Sequence, residues 1–195
     1  MREGTKKIIA RLVEKDIPYV LLDEEKEVVR ILISANEKEA FIKQAKQWGF
    51  KREKDTSKDL YLYGMDHFLY YQAEGENLVV CFQLACRSTL NGEWVPLDRK
   101  INNFALNRAV KQKDSMVLGE EDALCYLLAK CVYTKGQFQP YDIERIEDNL
   151  KKAEEEALKD KLEGVFFRFT SEMISMLRAK DYENIIEALW CYAEY

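Results

Sequence analysis

Asp23, Glu24, Glu25 and Glu27 crowd the entrance to Val28–Ile33, a run of β-branched and aliphatic residues interrupted by Arg30. Asp23 and Glu25 stand at i and i+2. Carboxylates so placed either act as ligands or pair with a nearby cation, here Lys26 or Arg30. A charge inside a strand otherwise built for burial is tolerated when it is paired or functional. The pattern reads the acids as a short connection, about 21–27, between a strand at 19–22 and one at 28–33.

Other chemistry is thinly represented. The chain has one histidine, His67, so a Ser-His-Asp or Cys-His site would have to use it. It lies at the start of a strand-like run, HFLYYQ, and no GxSxG accompanies it. The five cysteines, at 81, 86, 125, 131 and 191, form no CxxC pair, and their spacing matches no zinc motif. No GxGxxG or GxxxxGK[ST] occurs, which leaves dinucleotide-fold and P-loop readings unsupported. Tyr61, Tyr63, Tyr70 and Tyr71 offer faces on which a base or sugar can stack. Strand propensity alone accounts for tyrosine there, as cross-strand packing with wet hydroxyls.

The elements that must position these residues follow from periodicity. Ile8, Ile9, Leu12 and Val13 make the apolar stripe of a helix over 4–15, which Ile17-Pro18 stops. Asn36 is placed to cap a second helix, with Glu39 three residues on as in a capping box. Phe41, Ala45 and Trp48 give that helix its inner face, and Gly49 closes it. Strands follow near 59–63, 67–72 and 78–84. From Asp98 onward the pattern is helical. Leu124, Leu127, Leu128 and Cys131 mark one helix, ended by Gly136, and residues 141–158 mark another. Two short ones fall near 171–178 and 182–192. The charged stretch EDNLKKAEEEALKDKLE reads as a solvated helix face.

Length and composition bound the rest. A chain of 195 residues with 47% hydrophobic and 33% charged residues has the make-up of a globular protein able to bury a core. Its net charge of −5 argues against general nucleic-acid binding, which relies on Lys and Arg to neutralise phosphates. No apolar run reaches the about 20 residues needed to span a bilayer. The charged N-terminus, MREGTKKIIARLVEKD, lacks the apolar stretch of a signal peptide. The expectation is a cytoplasmic α+β protein: a small mixed sheet flanked by helices over 1–97, then a helical half, 98–195, packed on it.

The order of elements resembles the nucleotidyltransferase-like superfamily, of the DNA polymerase β type. IPYVLL resembles its first strand. EVVRILIS sits where its second strand carries Gly-Ser and then Asp-x-Asp. EKEAFIKQAKQWGFKRE resembles the helix that ends in Gly-Phe, and LVVCFQL the later strand that bears a third acid. GEWVPLD and LGEEDALCYLLAKCVY resemble the passage into the helical half, with its ED-x-L-x-x-L-x-x-K pattern. The resemblance spans roughly residues 5–150.

The resemblance implies nucleotide transfer with two Mg²⁺ ions held by strand carboxylates. The positions that would hold them here are Val28 and Arg30, and the third falls near Cys81 or Gln83. The Gly-Ser pair is also absent. This points to a fold kept without its metal site: no cofactor, no catalytic residue, and Arg30 with Lys130 as cations for a nucleotide or other anion. Arg30 would pair with an acid of 23–27 or hold a phosphate. A second reading is a divergent, active Mg²⁺-dependent transferase using Asp23, Glu25 and Glu27. A third is an interaction module, antitoxin-like, whose partner is another protein.

Overall fold

The structure is a computed structural model that describes residues 3–25, 28–52, 67–71, 77–87, 94–97 and 99–193. The chain forms two compact units, one of residues 1–84 and 102–119, the other of 85–101 and 120–195. No helix among the described residues is long and apolar enough to cross a membrane.

The first unit is built on strands β1 (Tyr19–Glu25), β2 (Val28–Ile33), β3 (Lys51–Arg52), β4 (His67–Tyr71), β5 (Asn77–Cys81), β8 (Val110–Gln112) and β9 (Ser115–Val117). They make one sheet in the order β3-β4-β5-β2-β1-β9-β8. It is mixed: β2 runs antiparallel to β1 and parallel to β5, and β1 runs parallel to β9. Helices α1 (Glu3–Glu14) and α2 (Lys38–Gln47) lie where the apolar stripes place them. Ile8, Ile9 and Leu12 of α1 and Phe41 and Ala45 of α2 pack with Val29, Ile31, Ile33, Leu78 and Val80 in one buried cluster. Both helices therefore cover the face of the sheet that the odd-numbered residues of β2 present. Val13, assigned to the α1 stripe on spacing, is instead 63% exposed.

Local signals explain the ends of α2. Ser34, rather than Asn36, is the capping residue. Its Oγ accepts from the Asn36 N–H at 3.4 Å and opens a 3₁₀ turn, Ala35–Glu37, that leads into the helix. At the other end Gly49 takes φ +83°, a conformation that costs glycine no side-chain clash. The Phe50 N–H then bonds to the Ala45 carbonyl and the Gly49 N–H to that of Lys46, the two bonds of a Schellman motif. Phe50 is thereby turned into the core.

Two expectations are corrected in this unit and the next. The hairpin β8–β9 joins the sheet within a stretch read as helical. Each strand has only three residues, too short to show a period. The turn is made by Lys113, at φ 55°, and Asp114. The helix expected over 141–158 is two, α5 (Pro140–Leu150) and α6 (Glu155–Phe166). Glu154 occupies the place, one turn past Leu150, where a continuing stripe needs an apolar residue. The expected strand at 59–63 lies outside the described residues.

The second unit holds a two-stranded piece, β6 (Ala85–Arg87) with β7 (Trp94–Pro96), and helices α4 (Glu120–Ala129), α5, α6, α7 (Thr170–Ala179) and α8 (Tyr182–Ala193). Helix α3 (Arg99–Asn107) belongs to this unit through Ile101 and to the first from Asn102 on. The Asn102 Oδ1 there accepts the Leu84 N–H at 2.8 Å. The stripe of Leu124, Leu127, Leu128 and Cys131 is buried as its spacing requires. Its last member, however, sits in a π-helical segment, Lys130–Lys135, that Gly136 ends at φ 62°. Two aspartates are buried in this unit, Asp122 at 2% and Asp142 at 1% exposure. Lys135 bonds both oxygens of Asp142 at 2.7 Å. Lys161 stands 2.9 Å from Asp122 Oδ1 and 3.4 Å from Glu121 Oε2.

Candidate site on the second sheet face

The acids of residues 23–25 are not in a connection. Strand β1 continues through Glu25, pairing Asp23 with Arg30, Glu24 with Val29 and Glu25 with Val28. Only two residues separate β1 from β2. The ladder shifts by one between Leu21 and Asp23, so Leu22 is an extra residue, a β-bulge. Had the register of Tyr19–Leu21 continued, Leu22 would oppose Arg30 and Asp23 would oppose Val29. The bulge turns Asp23 onto the face of Arg30 and Glu24 onto the face of α1. There Glu24 Oε1 accepts from the buried Thr5 hydroxyl at 2.6 Å.

Asp23 and Arg30 meet directly. Arg30 Nη1 donates to Asp23 Oδ2 at 2.9 Å, with the side chains 29% and 15% exposed. Cross-strand neighbours of opposite charge at this depth are screened less than surface pairs. Along the same face the register sets Val28 beside Asn77, Arg30 beside Val79 and Leu32 beside Cys81. Burial rises along it, from half-buried Val28, Arg30 and Val79 to the fully buried Leu32 and Cys81.

Cys81, beside Leu32 on this face, is a buried thiol. Burial pushes it up to about 12; Arg30 pulls the other way and Asp23 adds to the rise. The opposed influences of Arg30 and Asp23 place all three groups in one electrostatic neighbourhood. Cys131, in the π-helical segment, is likewise pushed up to about 12, first by burial and then by Asp142. Thiolates are the reactive form, and an ordinary thiol ionises near about 8.5. Alkylation of the native protein at pH 8, followed by peptide mapping, is therefore expected to label exposed Cys191 and spare Cys81, Cys125 and Cys131 until unfolding. Labelling of Cys81 as fast as Cys191 would contradict its placement.

Of the other sequence candidates, the structure brings Asp23 to Arg30 and turns Glu24 away from both. The Glu25 side chain and Glu27 lie outside the described residues. Lys130 opens the π-helical segment of the second unit, half-buried, and lowers the Cys131 thiol as Lys135 does. Among the described residues no three His, Cys, Asp or Glu side chains gather where they would hold a metal ion. Sequence reasoning nominated both members of the ion pair but missed the bulge that joins them. A bulge of one residue leaves no periodic trace.

No protein-family model and no curated protein matches the chain. Among solved structures it is similar to the lincomycin-bound crystal structure of lincosamide antibiotic adenylyltransferase LnuA, at 14% identity, 77% of this chain and 96% of that one, with a TM-score of 0.46. It is also similar to the antibiotic-resistance factor ANT(2'')-Ia in solution, at 11% identity, 90% and 94% coverage and a TM-score of 0.47. The crystal structure of ANT(2")-Ia in complex with adenylyl-2"-tobramycin gives 11% identity, 80% and 91% coverage and a TM-score of 0.49. The likeness concerns the fold and assigns no residue a role.

Proposed function

We propose that the chain is a cytoplasmic nucleotidyltransferase-fold protein in which an internal ion pair has taken the place of the two-metal site. In this reading it binds the phosphates of a nucleotide, or a similar anion, through Arg30 and does not transfer a nucleotidyl group. The observation that carries the reading is the 2.9 Å contact of Arg30 with Asp23. A guanidinium at the second Asp-x-Asp position repels the cation that chemistry needs, and the Asp23 carboxylate already pairs with it. Only two residues join β1 to β2, which leaves no segment there to replace the missing Gly-Ser phosphate cradle.

Calorimetric titration with ATP, with Mg²⁺ and with EDTA, separates the readings. Binding is expected without metal. Arg30→Met is expected to weaken it by about 1.5–3 kcal/mol, the worth of a charge-assisted hydrogen bond. Loss of the partly exposed ion pair should cost only about 1 kcal/mol of stability.

One observation favours the divergent enzyme as a second reading. Asp23 is held in a strand, the rigid support a catalytic ligand needs, and not in a loose connection. Micromolar binding that requires Mg²⁺ and disappears in Asp23→Ala would establish that reading and overturn ours. Binding of ATP under neither condition would leave the protein-interaction reading.

A further inference from the structure

We infer that Asp23 is a built-in competitor for Arg30, so that the site admits oligophosphates and excludes singly charged anions. The inference rests on the reading of Arg30 as an anion-binding residue. Three observations meet in it. The bulge at Leu22 is what sets Asp23 opposite Arg30. Bulges re-aim side chains at functional positions and bend the strand that carries them. The carboxylate so delivered bonds Arg30 Nη1 at 2.9 Å, in the position an anion's oxygen would take. Both side chains nevertheless keep solvent access, 29% for Arg30 and 15% for Asp23, so the pair can be approached and exchanged. In the Lys135–Asp142 pair, by contrast, the acid is only 1% exposed.

Competition follows from the tether. A carboxylate on the adjacent strand acts at an effective concentration far above that of a free ligand, in the millimolar range or higher for short connections. A monoanion offers Arg30 no more charge than the group it must displace, and it gives up translational freedom to do so. An oligophosphate brings several charges and several acceptor oxygens to one guanidinium. The displaced Asp23 carboxylate returns to water at the partly open end of the sheet face.

The test is calorimetric titration of inorganic tripolyphosphate and of acetate, at constant ionic strength, into the natural protein, Asp23→Asn and Arg30→Met. The natural protein is expected to bind tripolyphosphate and not acetate. Asp23→Asn should bind tripolyphosphate at least about tenfold tighter and should gain acetate binding, as removal of one charged competitor implies. Arg30→Met should bind neither. Unchanged or weaker tripolyphosphate binding by Asp23→Asn, with binding still lost in Arg30→Met, overturns the competitor and leaves the anion-binding reading standing. Equal binding by Arg30→Met and the natural protein overturns both. A measurement on the natural protein guards against a misfolded variant: the Arg30 Nε–H resonance should shift as tripolyphosphate is added. Tripolyphosphate binding that leaves that resonance in place also overturns the inference.

Discussion

Lys161→Met is expected to destabilise the second unit by about 3–5 kcal/mol, the cost of stranding a buried charge. Lys161 lies on α6 with 6% of its surface exposed, and Asp122, in the first turn of α4, is 2% exposed. The ammonium stands 2.9 Å from Asp122 Oδ1 but directs its hydrogen bond to Glu121 Oε2 at 3.4 Å. Neither Asp122 oxygen has a hydrogen-bond partner among the described residues. The charge of Asp122 is thus offset by proximity to Lys161 and by the N-terminus of α4, with no bond to spare. Methionine keeps much of the lysine stem and removes the charge, so packing changes little and electrostatics much. Hydrogen exchange of the α4 and α6 amides in urea measures the effect within this unit, where a single global transition need not hold. The double change Asp122→Leu with Lys161→Met is expected to recover most of the loss, because an apolar pair of similar size often matches a buried ion pair. A loss below about 1 kcal/mol in Lys161→Met, with no coupling in the double-mutant cycle, would mean the pair holds nothing together.

That pair also shows why part of this molecule was hidden in its sequence. Glu121 and Asp122 stand in the first turn of α4, where acids suit the helix N-terminus. Their partner comes forty positions after Glu121, and no local pattern announces it. The same holds at the sheet. The stripes of α1 and α2 and the strand runs of β2 and β5 were legible because burial on one face imposes a period of 3.6 or 2. Gly49 was legible because a Schellman motif needs its positive φ. Asp23–Glu25 were misread as a connection because three successive acids lower strand propensity, while the cross-strand partner Arg30 and the Thr5 hydroxyl make them acceptable in place. The π-helical segment after Ala129 keeps the apolar residues of an α-helix and differs only in hydrogen-bond step, to which composition is blind.

Phe41→Ala carries the second large expected effect, a loss of about 3–5 kcal/mol from the first unit. Phe41 is fully buried on α2 and meets Trp48 and Phe82 edge-on, with ring centroids 6.2 and 6.3 Å away. Around it stand Val29, Ile31 and Ile33 of β2 and Leu78 and Val80 of β5, held in strands that cannot collapse into the space it leaves. Phe41→Leu, which keeps most of the volume, should cost less than about 1.5 kcal/mol. Both values come from urea unfolding followed by exchange of the β2 and β5 amides; equal costs for the two variants would show that the ring's shape and edge contacts matter more than its volume. The same two strands present Arg30 and Cys81 on their opposite face, so the helix side of the sheet sets the spacing on the Arg30 side. Phe41→Ala is therefore expected to weaken tripolyphosphate binding even where the protein remains folded. Phe41→Leu should bind as the natural protein does, since it holds β2 and β5 at their distance without changing any charge.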